Sequence, residues 1–233
     1  MHAQLRLSLC ALALLILSAC AVSPPSISMD KTKWSGPLKT EGVSVRLYQS
    51  GDLQVSNPHV QLGLVGLALI GETRPPAIRP RAAALLAADV ARELDLIVVP
   101  TLSAPVPEML PLEIFEKPLA RMDAERRFIL KVGVRVETLN HLPMAWTTNQ
   151  YWLGAKAALI DSSDGSAIWQ GSCWINLDPD DKTRQVTNEQ LSSANGQSLL
   201  ASAMKSATRQ CAAAMNNAVA TASGAEQYAF NAK

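Results

Sequence analysis

Apolar and polar residues alternate most regularly between Phe128 and Thr138, where Phe128, Leu130, Val132, Val134 and Val136 take one face and Ile129, Lys131, Gly133, Arg135 and Glu137 the other. A period of two predicts a strand. A loop through His141 to Thr148 is expected to lead into a hairpin with arms Tyr151 to Asp161 and Ser166 to Leu177. Its connection, Ser162-Ser163-Asp164-Gly165, ends in a glycine able to take the positive φ of such a turn. With Asp161 opposite Ser166, Ala158 would face Trp169 and Gly154 would face Cys173. That register sets small residues against large ones and places Trp152, Trp169, Cys173 and Ile175 on one face. Upstream, Val43 to Tyr48 predicts a first strand, followed by a turn at Ser50-Gly51-Asp52 and a short extended piece through Val55. Leu96-Ile97-Val98-Val99, an apolar run stopped by Pro100, predicts a central strand covered on both sides.

Helical spacing appears twice. Ala83, Leu86, Val90 and Leu94 share one side of a helix over Ala82 to Leu94, with Asp89, Arg92 and Glu93 on the other. Thr187-Asn188-Glu189-Gln190 has the form of a capping box, and helix is expected from there to about Ala222, bent at Asn195-Gly196. Leu200, Met204, Ala207, Cys211, Met215 and Ala218 form one stripe, rich enough in alanine to approach a sheet closely. The expected fold class is α/β (α+β): a mixed, mainly antiparallel sheet with a C-terminal hairpin and a long C-terminal helix packed on it.

Two segments fit neither period. His59 to Gly71 is almost wholly aliphatic apart from its glycines, but is too short to span a bilayer, so burial is expected; a shallow membrane or partner contact is the alternative. Thr73 to Arg81, with its prolines and arginines, reads as an exposed connector. Residues 103 to 122 carry Pro105, Pro107, Pro111 and Pro118, which exclude a long helix or an interior strand. A loop of this length is often functional, so Met109, Leu110, Ile114 and Phe115 are candidate partner-binding residues. The alternative is that they fold back over an edge or face of the sheet.

The N-terminus has a different character. Arg6 precedes an apolar run from Leu7 to Leu17, which ends in small residues rather than a charged stop, the order of a secretory signal over residues 1–19. Leu17-Ser18-Ala19-Cys20 resembles a bacterial lipobox, which implies cleavage before Cys20 and acylation of that cysteine. Two or three acyl chains would hold the protein permanently to a bilayer. Similarity to lipoproteins of diderm bacteria, with Ala21 rather than aspartate after the cysteine, implies the periplasmic face of the outer membrane. Residues 20–41, short of large apolar side chains, are expected to be a lipidated tether, and 42–233 a single domain.

Charge changes little: the formal net charge is +1 and the signs are interspersed, which leaves no electrostatic footprint for nucleic acid. Of four cysteines, Cys10 belongs to the signal and Cys20 to the lipid. Cys173 and Cys211 remain and read as one disulfide in an oxidising compartment, the alternative being two separately buried thiols. There is no G-x-S-x-G, H-E-x-x-H, Walker loop or dinucleotide fingerprint. His59 and His141 are far apart in sequence and read as loop residues. Asp178, Asp180, Asp181 and Glu189 invite a calcium loop, but Lys182 and Thr183 stand where a ligand and a glycine are needed. No metal, cofactor or enzymatic activity is expected.

Residues 155–171, Ala-Lys-Ala-Ala-Leu-Ile-Asp-Ser-Ser-Asp-Gly-Ser-Ala-Ile-Trp-Gln-Gly, followed by an alanine-rich helix, resemble envelope lipoproteins related to the curli-secretion lipoprotein and the N-terminal domain of the periplasmic Tol protein. The resemblance covers the C-terminal third and implies a helix lying on a mixed sheet. It also implies a role in envelope assembly, secretion or cell-wall synthesis through protein contacts. The expected function is a non-catalytic, membrane-anchored lipoprotein that binds another envelope protein or polymer; the alternative is a carrier or sensor of a lipid or small apolar ligand.

Overall fold

The computed structural model describes residues 26–51, 53–55, 81–99, 109–117 and 126–222. Cys20, the aliphatic stretch 59–71 and the connector from Thr73 to Pro80 lie outside the described residues. In chain order the elements are α1 (Lys31–Glu41), β1 (Val43–Gln49), β2 (Gln54–Val55), α2 (Ala82–Glu93), β3 (Met109–Pro111), β4 (Phe128–Leu142), β5 (Ala145–Asp161), β6 (Ser166–Ile175), β7 (Gln185–Thr187), α3 (Asn188–Ser192) and α4 (Gly196–Ala222). Short 3₁₀ turns occupy Leu112–Ile114 and Lys182–Arg184. The sheet runs β3-β1-β4-β5-β6, with β2 pairing β4 and β7 pairing β5. Its long ladders, β4 with β5 and β5 with β6, are antiparallel, while β1 is parallel to both of its neighbours.

The period-two pattern fixes which residues meet the core. Phe128, Leu130, Val132 and Val134 join Tyr151, Leu153, Ala157, Leu159 and Trp169 beneath α2 and α4. Leu200, Met204, Ala207, Cys211 and Met215 of the predicted stripe are all buried there. Thr187 and Gln190 form the expected capping box, but the helix is interrupted rather than bent near Asn195-Gly196: α3 ends at Ser192 and α4 begins at Gly196. Cys173 on β6 and Cys211 on α4 are disulfide-bonded, with Cα atoms 5.3 Å apart. Thr208 donates to buried Asp89 at 2.8 Å, tying α4 to α2.

Four further expectations are corrected. Residues 31–41 are a helix, not tether: Asp30 accepts from the N–H groups of Thr32 and Lys33, and the helix ends at Gly42, whose N–H bonds Leu38 O at 3.1 Å. Pro37 is tolerated because Leu38 is buried and Trp34 packs edge-on to Phe128, 6.1 Å between ring centres. Residues 141–148 are not a loop, since β4 and β5 continue to a tight turn at Pro143-Met144. Residues 96–99 are not a central strand. Val98 makes only an isolated bridge to Val43, and Ile97 and Val98 are 50% and 44% exposed. The hairpin register is the fourth: Asp161 pairs Ser166 as expected, but Ile168 is an extra residue, so Trp169 pairs Leu159 and Cys173 pairs Ala155. The slip by one position moves Trp152 to the opposite sheet face, where it packs edge-on to Trp174 at 5.1 Å.

Candidate partner-binding face

The helices cover one face of the sheet. The other face, here the outer face, is partly covered by residues 109–117. Met109, Leu110 and Pro111 add β3 to the β1 edge opposite Leu47, Tyr48 and Gln49. The chain then turns over the outer face, where Phe115, Tyr48 and Ala158 form a second small core with Leu110, Leu112, Ile114 and Ile160. Gly133 makes room for this. A Cβ there would lie 2.9 Å from both Leu112 Cδ1 and Phe115 Cδ2. Phe115 is 4% exposed and meets Tyr48 edge-on at 5.3 Å, so it is a core residue of this cover rather than a free docking side chain. Met109, Leu110 and Ile114 are half-buried.

Two lysines fasten the cover. Lys131 is almost fully buried; its Nζ donates to the Phe115 carbonyl and, at 3.3 Å, to that of Lys117. Both carbonyls lie just past the C-terminal end of the Leu112–Ile114 turn, where a cation is favoured. Burial lowers the Lys131 pKa, opposed by Glu116 and assisted by Lys156 and Arg46. Lys156 lies 4.5 Å from the Phe115 ring centre and pairs with Glu116.

Beside this cover two apolar features reach solvent. Ile97 and Val98 line the start of the edge that β3 occupies further along β1, with Val43 N–H bonded to Ile97 O at 2.8 Å. Their apolar run reads as core in the sequence, yet only four residues separate Asp95 from Pro100, which is short for a central strand. At the β4–β5 turn, Met144 is 93% exposed with φ of 64°.

The buried charged groups are engaged within the fold. Asp161 receives Arg127 at 2.8 Å and the Ser163 hydroxyl at 2.6 Å; burial would raise its carboxyl, but these bonds hold it below the usual value. Asp181 likewise is held low against burial by Arg184, Thr183 and Gln210. Tyr151 donates to Glu137 at 2.6 Å, and Gln49 donates to the other carboxylate oxygen at 2.8 Å. Burial, then Glu137, raises the Tyr151 pKa. Among the described residues no group of three or more His, Cys, Asp or Glu side chains could hold a metal, and no helix is long and apolar enough to cross a membrane.

The described chain is thus a mixed α/β domain with helices on one sheet face and a short fastened cover on part of the other. No protein-family model and no curated protein matches it. Among solved structures it is similar to a PelC dodecamer from Paraburkholderia phytofirmans, at 13% identity and TM-score 0.35 over 84% of this chain and 94% of that one. It is also similar to lipoprotein GNA1162 from Neisseria meningitidis, at 14% and 0.29 over 72% and 97% of the two chains. A third likeness is the LpoB C-terminal domain from Salmonella enterica, at 12% and 0.19 over 62% and 99%. Bacterial lipoproteins are among the structures it is similar to, but at these scores the likeness carries no inference of role.

Proposed function

We propose that this protein is a non-catalytic lipoprotein, acylated at Cys20 on the periplasmic face of the outer membrane, that binds another envelope protein or polymer. The observation that carries the reading is the lipobox-like Leu17-Ser18-Ala19-Cys20 ahead of a domain whose remaining cysteine pair is disulfide-bonded, a combination suited to an oxidising envelope compartment. The β1 edge supplies the contact surface: exposed Ile97 and Val98 beside half-buried Met109 and Leu110, with Ile114 on the adjoining cover.

Crosslinking in intact cells, followed by affinity capture of the lipidated protein and mass spectrometry, tests the role, with Cys20→Ala as control. The expected result is one dominant envelope partner, captured only with Cys20 intact. Its purified form should bind wild-type protein and lose binding to Ile97→Ser/Leu110→Ser with unchanged circular dichroism. Binding unaffected by those substitutions would overturn the surface; bound lipid in place of a partner would favour the carrier function.

A further inference from the structure

The contact nearest to Cys20 among the described residues lies at Ile27, which exchanges backbone hydrogen bonds with Gln170, both at 3.0 Å. β6 ends the strand order, so this antiparallel bridge occupies the outer edge of the sheet. From there the chain is committed, because Met29 packs on the core and Asp30 caps α1. Cys20 and Ile27 are seven residues apart. Fully extended, such a segment reaches about 25 Å, at ~3.3–3.6 Å per residue. The tether is therefore much shorter than the 20–41 span expected from composition.

We infer that the domain lies with its β6 edge toward the bilayer that holds the acyl chains, and with the β1–β3 edge turned away. This rests on the lipid-anchor reading of Cys20. The β1–β3 edge is four strand spacings from β6, about 19 Å at ~4.8 Å each. A tether that first crossed that width, around a layer of helices about 10 Å thick, would have nothing left to reach the headgroups. A pose with the β4–β5 hairpin pointing down fails for the same reason. Gln170 is level with Ala158, and the hairpin continues from Ala158 to Ala145. At ~3.3 Å per residue that is about 43 Å, so the tip would be driven roughly 20 Å beyond the anchor. The strands that would enter carry exposed Thr147 and partly exposed Asn140, His141 and Thr148, polar side chains whose transfer into hydrocarbon is costly. The β6 edge itself presents exposed Ser166 and Ser172, which suit hydrated headgroups rather than insertion. In this pose Ile97, Val98 and β3 face the compartment, where a partner can reach them.

Energy transfer to headgroup-labelled lipid tests the orientation, using acylated full-length protein in phosphatidylethanolamine–phosphatidylglycerol vesicles. Donors would be placed singly at Ser166→Cys, Ile97→Cys and Met144→Cys; these side chains are exposed, and the native pair Cys173 and Cys211 is bonded. Transfer from position 166 is expected to exceed that from 97 and 144 several-fold. Equal or reversed transfer in protein shown by mass to be acylated and by flotation to be bound would overturn the orientation alone. Absence of an acyl chain would overturn the anchor reading and the orientation with it. Inserting a glycine–serine linker of about 20 residues after Ala21, with a root-mean-square span of about 25 Å, should abolish the difference. A difference that persisted would show that tether length does not set the pose and would overturn the inference.

Discussion

Lys131 and Phe115 hold each other in place: the lysine Nζ donates to the phenylalanine carbonyl and lies 4.8 Å from the centre of its ring. Removing the ammonium leaves the Phe115 carbonyl without that donor. Lys131→Ala is therefore expected to destabilise the domain by about 1–3 kcal/mol and to speed proteolysis at Lys117. Because burial lowers the Lys131 pKa, the folded state holds this proton less firmly than the unfolded chain. The group's contribution to stability accordingly rises with pH from its depressed folded value to the ordinary lysine value near 10.4. Urea titrations of wild type and Lys131→Met between neutral and alkaline pH should show that rise only in the wild type.

Trp174 lies directly over Gly154, its cross-strand partner. A Cβ at position 154 would overlap the ring at Cε3 and Cζ3, so the indole would have to leave and give up its edge contact with Trp152. Gly154→Ala is expected to cost about 1–3 kcal/mol and to red-shift tryptophan emission. The double variant Gly154→Ala/Trp174→Ala should recover part of the loss, because the clash is then gone. A strictly additive cycle would refute the proposed overlap.

The long-range features that sequence could announce were those set by period and capping. The alternation from Phe128 to Val134, the Thr187–Gln190 box and the α4 stripe needed no knowledge of what lay opposite, whereas the bulge that turns Val136 away from the Phe128 face was not legible. Features that depended on a neighbour were hidden. Trp34 and Leu38 lie among lysines and threonines, and only Phe128 and the core give α1 a reason to fold. The bulge at Ile168 leaves no mark in the alternation, yet it decides which face Trp152 takes. Phe115 read as part of a proline-rich loop because the space above Gly133 that receives it is a property of two strands distant in sequence from it.

Asp181 gathers the loop before α3 onto the rest of the domain. It accepts from Arg184 Nε at 2.7 Å, Thr183 N–H at 2.9 Å and Gln210 Nε2 at 2.7 Å. Arg184, only 2% exposed, also donates to the carbonyls of Tyr151 and Asn176, both at 3.0 Å. Asp181→Asn would leave this guanidinium buried without its counter-charge, at a cost of about 3 kcal/mol at neutral pH. These bonds depress the Asp181 pKa against the effect of burial. Its stabilising contribution is thus complete above the unfolded value near 3.9 and is lost as pH falls through the lower folded value. The difference between wild type and variant in chemical denaturation should shrink as pH falls below 4; a constant difference down to strong acid would exclude the ion pair as its source.

The Cys173–Cys211 bridge is placed where it constrains much of the C-terminal region, since it joins β6 to α4 across a sequence separation of 38. Restricting the unfolded chain over a loop of that size corresponds to about 4 kcal/mol in the chain-entropy model. Leu200, Met204, Ala207 and Met215 remain buried against the sheet without it, so α4 should stay docked when the bridge is lost. Cys173→Ala/Cys211→Ala is therefore expected to keep its far-ultraviolet circular dichroism while unfolding at distinctly lower temperature and denaturant concentration. Reductant should lower the stability of the wild type toward that of the double variant and leave the variant unchanged. A wild type insensitive to reductant, with two thiols titratable after unfolding, would show the cysteines to be separate in the native protein. It would also remove the disulfide from the argument for an oxidising compartment.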